Sequence, residues 1–166
     1  MPRNPKYPLT PLREHRDRKV EAGTAELGVA VVAREAAGDA KRAAEREHVE
    51  AEARAEKVRR DEAALLGSGA LRAADLAHAQ AWEHGARAEI SELAQAVARA
   101  DGQLTIMRAA EGTARVALGQ EKADLDVVVR DQARFDDQAR RAREASEEEA
   151  ADEVFAAASM AKGRAG

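Results

Sequence analysis

Residues 90–142 read ISELAQAVARADGQLTIMRAAEGTARVALGQEKADLDVVVRDQARFDDQARRA, and this stretch decides the fold. Stepping by seven from Ile90 gives Val97, Leu104, Glu111, Leu118, Leu125, Gln132 and Ala139. A second series runs Leu93, Ala100, Met107, Ala114, Glu121, Val128, Phe135 and Ala142. The two alternate at spacings of three and four, the mark of a coiled-coil seam, and they persist well beyond the few heptads that such a reading needs. Glu111, Glu121 and Gln132 interrupt the apolar run. Two readings of them stand: buried polar residues that fix register, or loosely packed, solvated stretches.

Working outward, the chain offers little to stop a helix. Pro occurs at positions 2, 5, 8 and 11 and nowhere later, so everything after Pro11 is free to be helical. Thr10 is placed as the N-cap with Pro11 in the first turn. Gly67-Ser68-Gly69 is the one clear break. The expected fold is therefore all-α: a single elongated antiparallel coiled-coil hairpin, with helix 1 at about 10–66, a turn at 67–69 and a longer helix 2 at about 70–160. Helix 1 has a weaker stripe of Leu9, Leu12, Val20, Leu27, Val31, Val49, Val58 and Leu65, with Ala filling the middle from Ala33 to Ala55. Alone it is marginal and needs helix 2 as its partner. At 1.5 Å per residue helix 1 covers about 85 Å, which leaves a projection of roughly 45 Å on helix 2. By that arithmetic the projection starts near Val129, and Val129, Phe135 and Phe155 find nothing within the chain to pack against.

Composition agrees with a rod. Of 166 residues 45% are hydrophobic, but only 2% are aromatic and much of the apolar fraction is Ala, too little bulk for a globular core. Lys and Arg number 27 against 31 Asp and Glu, a net of −4, without the basic excess expected of a nucleic-acid binder. No apolar run is long enough to span a membrane. The first residues lack the apolar stretch of a signal peptide. Cys is absent, which removes disulfides and thiolate chemistry and fits a reducing cytoplasm.

Chemistry-bearing motifs are missing. His15, His48, His78 and His84 are dispersed, and the six-residue spacing of the last two puts them on different helix faces. No phosphate-binding loop or nucleophile elbow occurs. Carboxylates alternate with Arg at helical spacing, as on solvated faces. The reading is a non-enzymatic protein without cofactor or metal. Candidate partner-binding residues are instead Trp82, Arg130, Arg134, Phe135, Arg140, Arg141 and Phe155. Trp82 fits the seam near the hairpin tip or, if exposed, a binding anchor. The others lie on the expected projection, where Arg and acid residues alternate closely.

The opening Tyr7-Pro8-Leu9-Thr10-Pro11-Leu12-Arg13-Glu14-His15-Arg16, followed by Val20, Ala22, Ala25 and Leu27, resembles that of the flagellar FliJ and virulence YscO proteins. These are central-stalk components of type III secretion systems. The tail, with Arg134-Phe135, Gln138, Arg140-Arg141, Glu147-Glu148-Glu149 and Asp152-Glu153-Val154-Phe155, is similar to the charged tail of that family. The resemblance implies two long antiparallel helices forming a stalk like the γ subunit of rotary ATPases. It implies a terminal end inserted into the hexameric secretion ATPase, contacts with the export-gate protein and some secretion chaperones, and a cytoplasmic position at the face of a membrane-embedded apparatus. Two other readings stay open. One is a different coiled-coil adaptor, such as an ATP-synthase peripheral stalk. The other is a disordered stress-protectant chain, against which stand scarce Lys and a seven-residue rather than eleven-residue repeat.

Overall fold

A computed structural model of the chain describes residues 6–69 and 72–163. Two helices, α1 (Thr10–Gly67, 58 residues) and α2 (Ala73–Gly163, 91 residues), account for nearly all of them, and no strand occurs among the described residues. The expected start of helix 2 at Ala70 falls outside the described residues. The helices run antiparallel as a hairpin, and the chain divides into two compact units: one of the residues up to Thr24 with those from Ala117, the other Ala25–Val116.

The helix ends follow from local chemistry. α1 starts at Thr10 as the sequence suggests, but Arg13 N–H donates to the Leu9 carbonyl at 3.0 Å, so Leu9 rather than Thr10 stands at the cap position. Thr10 does not cap it by accepting a helix N–H. Its hydroxyl donates to the Tyr7 carbonyl at 2.7 Å and folds the preceding segment back. Pro11 sits in the first turn, where its missing N–H costs nothing. At the other end Gly69 has φ +71°, the one positive φ among the described residues, and its N–H donates to the Leu66 carbonyl at 3.2 Å. A left-handed residue here closes α1, which is why Gly stands at this position. For α2, the Asp75 carboxylate accepts from Arg72 N–H at 2.9 Å, one half of a capping box, and favours the positive end of the helix dipole.

The heptad reading of α2 holds at every step. Each position of both series from Ile90 to Ala139 is buried or half-buried, and only Ala142 is exposed. For α1 the expected stripe is corrected. Val20, Leu27, Val31 and Val58 face inward, but Leu9, Leu12, Val49 and Leu65 are exposed. The inward series of α1 instead steps through small and cationic residues.

In the Ala25–Val116 unit α1 contributes Leu27, Ala30, Arg34, Ala37, Lys41, Ala44, His48, Ala51, Ala55 and Val58. Ala37, Ala51 and Ala55 are the most buried of these, so small side chains let the backbones approach while α2 supplies the bulk through Leu93, Val97 and Leu104. In the other unit α1 turns Arg13, Arg16, Val20 and Gly23 inward, with Leu118 and Val128 buried on α2. A Cβ placed on Gly23 would meet Leu118 Cδ1 at 3.4 Å, so the glycine allows close approach there. Leu104, Leu118 and Val128 are the large aliphatic side chains counted as buried, each contributing about 1.5–3 kcal/mol.

Polar groups on the seam and beside it pair with one consistent polarity: bases on α1, acids or an amide on α2. In the terminal unit Arg13 reaches Gln132 at 2.7 Å, and Arg16 reaches Asp124 at 2.8 Å and Glu121 at 3.3 Å. In the other unit Arg34 meets Glu111 at 2.9 Å, Lys41 meets Asp101 at 2.6 Å and Arg54 meets Glu89 at 2.8 Å. Glu111, Glu121 and Gln132 thus each have a specific partner, the register-fixing reading of these residues. Partly exposed pairs contribute at most about 1 kcal/mol each. They select alignment more than they hold the helices together.

Candidate functional site

The terminal unit contains the features that sequence pointed to for partner binding, and one residue reorganises them. Tyr7, just before α1, is 7% exposed. Its hydroxyl lies 2.6 Å from Asp131 Oδ2, and its ring centroid is 5.5 Å from that of Phe135 at an interplanar angle of 60°. Burial, then the Asp131 hydrogen bond and charge, push the phenol up to about 12.

Phe135 is therefore not an unpartnered residue on a projection. It is half-buried on the seam against the Tyr7 ring, which corrects the expectation that it packs against nothing within the chain. α1 itself already reaches past Val129, because α2 begins only at Ala73 and Arg13 of α1 pairs with Gln132. The segment ahead of Thr10 carries packing further along α2.

The part of α2 beyond the packing begins at Arg140 rather than near Val129. From Arg140 to Ala157 every residue is exposed. Arg140 pairs along its own helix with Asp137 at 3.0 Å and Glu144 at 3.8 Å. Arg141 is exposed beside it, and Phe155 is 76% exposed. Upstream, Arg130 pairs with Asp126, and Arg134 is exposed. Spacings of four and seven place Arg130, Arg134 and Arg141 on one outward face of α2, opposite the seam that holds Phe135. Val154 and Phe155 follow Glu144, Glu147, Glu148, Glu149, Asp152 and Glu153, so charge changes sign along this end, basic first and acidic next.

Trp82 lies in the other unit, away from these residues in the chain. It is 38% exposed and flanks the seam, whose positions there are Ala79, Glu83 and Ala86. The expected seam position for Trp82 is therefore corrected to one at its edge.

Tyr7 is the functional-end residue that sequence reasoning passed over. The signal for it is a lone Tyr in a chain with only 2% aromatic residues. Among the described residues no group of three or more His, Asp or Glu side chains is arranged to hold a metal ion, and no helix is long and apolar enough to cross a membrane.

The fold defines the class of protein: a two-helix antiparallel coiled-coil hairpin with one helix extended past the packed seam. Comparison with protein-family models, with curated proteins and with solved structures returned no match.

Proposed function

We propose that the chain is a non-enzymatic central stalk of a type III secretion system, binding the hexameric secretion ATPase and coupling it to the export gate. One observation carries the reading. The α2 segment from Arg140 onward is a helical, charge-dense extension with every described side chain through Ala157 exposed, a form suited to contacts outside the chain. Its closely spaced Arg and carboxylate groups make several weak polar contacts without a single fixed register. Weak contacts suit a shaft that must not lock inside a ring. The family-like opening from Tyr7 to Arg16 supports the same reading, because Tyr7 lies at the same end of the hairpin. Insertion in the ring, the gate contact, the secretion chaperones and the cytoplasmic position at the apparatus come from the resemblance.

Copurification of the full chain with the secretion ATPase of its own organism tests the reading. The expected result is a stable complex with less than one chain per ATPase subunit, as a single shaft in a ring requires. Failure of the two to associate at micromolar concentration argues against it.

A further inference from the structure

A second surface, in the Ala25–Val116 unit, is independent of the stalk reading. The chain is 35% charged, yet between Gly102 and Val116 on α2 the exposed positions carry charge only at Arg108 and Arg115. Gly102, Ile106, Ala109, Thr113 and Val116 recur at alternating steps of four and three, so they form one stripe on the face opposite the seam. Ile106 is 59% and Val116 75% exposed. Arg108 and Arg115, seven residues apart, run along one edge of this face, and Arg115 stays 69% exposed while pairing with Glu111 at 2.6 Å. Gln103 and Ala110 form the other edge, without charge. A Cβ on Gly102 or Gly112 would meet nothing within 4 Å, as at Gly28, Gly85 and Gly119 elsewhere on the helices. Each costs helix stability relative to Ala. Bare backbone on an uncharged face lets another helix approach closely.

We propose that this face docks an amphipathic helix of another protein, one whose apolar stripe is edged by carboxylates that meet Arg108 and Arg115. Charge selects this occupant over a second copy. Antiparallel pairing of two copies would set the Arg edge against itself, and parallel pairing would set it against Gln103 and Ala110, which offer no charge. A membrane surface is also disfavoured, because Ile106 and Val116 are separated by Ala and Thr rather than by the aromatic and Leu side chains that interfacial helices insert.

The test titrates the full chain with two labelled synthetic helices that share a Leu stripe at three- and four-residue spacing. One carries Glu along one edge and the other carries Lys. The Glu-edged peptide binds at about 100 µM or tighter, and the Lys-edged peptide binds roughly tenfold more weakly. Ile106→Glu and Val116→Glu each weaken the Glu-edged peptide by about tenfold, with helical content unchanged because both side chains are exposed. Reversal at the edge residue that makes no bond to Glu111, Arg108→Glu, narrows the preference for the Glu-edged peptide. Equal binding of the two peptides, no binding, or indifference to Ile106→Glu overturns the proposal. So does a self-dimer that Val116→Glu dissociates, or binding to phosphatidylserine vesicles in place of the Glu-edged peptide.

Discussion

Arg34 Nε donates to the Glu111 carboxylate across the seam at 2.9 Å, and Glu111, with its side chain 13% exposed, is the least exposed charged group in any ion pair of the described residues. An acid at this depth is tolerated because two guanidiniums reach it, the second from Arg115 one turn along α2. Replacing Arg34 with Ala removes the cross-helix half of this arrangement. We expect a loss of about 1–2 kcal/mol, and a double-mutant cycle with Glu111→Gln should give a coupling near 1 kcal/mol. A coupling indistinguishable from zero in a thermal or denaturant melt would mean the pair does not help set register.

The same pair shows how much of the fold was readable. On α2 the seven-residue step alone located the seam from Ile90 to Ala139, because large apolar side chains mark it. On α1 apolar residues are a poorer guide: Val20, Leu27, Val31 and Val58 face inward, but Leu9, Leu12, Val49 and Leu65 are exposed. Between Val31 and Val58 the inward series includes Arg34, Ala37, Lys41 and Ala44, in which long basic side chains lay their stems along the seam and carry the charge to an acid on α2. Hydrophobicity does not register such positions; the heptad step taken across from α2 would have. Phe135 was misplaced for another reason. Its partner, Tyr7, lies more than a hundred residues away in sequence and outside either helix.

Tyr7 gives the terminal unit a pH dependence. Its folded value of about 12 exceeds the ordinary 10.0, so the neutral phenol is favoured by folding. The contribution is complete below pH 10 and is lost as pH rises from there through 12. Melts of the full chain should show a decline over that window that is smaller in Tyr7→Phe. Near pH 7 Tyr7→Phe should lower the melting temperature through loss of the hydrogen bond to Asp131. An identical alkaline profile for both proteins would contradict this assignment.

Lys41 and Asp101 titrate in the complementary sense. The hydrogen bond and charge between them hold the lysine above, and the carboxyl below, their ordinary values. The carboxyl's share of stability is present above pH 3.8 and lost on acidification through its lowered value. The lysine's share is present below pH 10.5 and lost as pH rises through its raised value. Both side chains are partly exposed, so Lys41→Met should lower the melting temperature only slightly at low salt, and less at high salt. A loss of stability that does not shrink with added salt, read by denaturant titration, would point to packing rather than charge.

Glycine substitutions should separate turn from helix. Gly112→Ala fills open space on a helix and should stabilise by about 1 kcal/mol. Gly69→Ala forces a side chain into a left-handed conformation at the turn and should destabilise by about 1 kcal/mol. Equal melting temperatures for the two variants would place the hairpin turn elsewhere.

The central functional claim is tested by removing what lies beyond the packed seam and nothing more. A chain ending at Ala139 retains Phe135 and Asp131, and with them the seat of Tyr7, so the hairpin should stay helical and melt close to the full chain. Truncation from Arg130 would confuse loss of contact with loss of that seat. The measurement is ATP hydrolysis by the secretion ATPase with full-length chain and with the chain ending at Ala139. The account predicts stimulation by the full chain and none by the truncated one, despite an intact melt. Equal stimulation by both would contradict it.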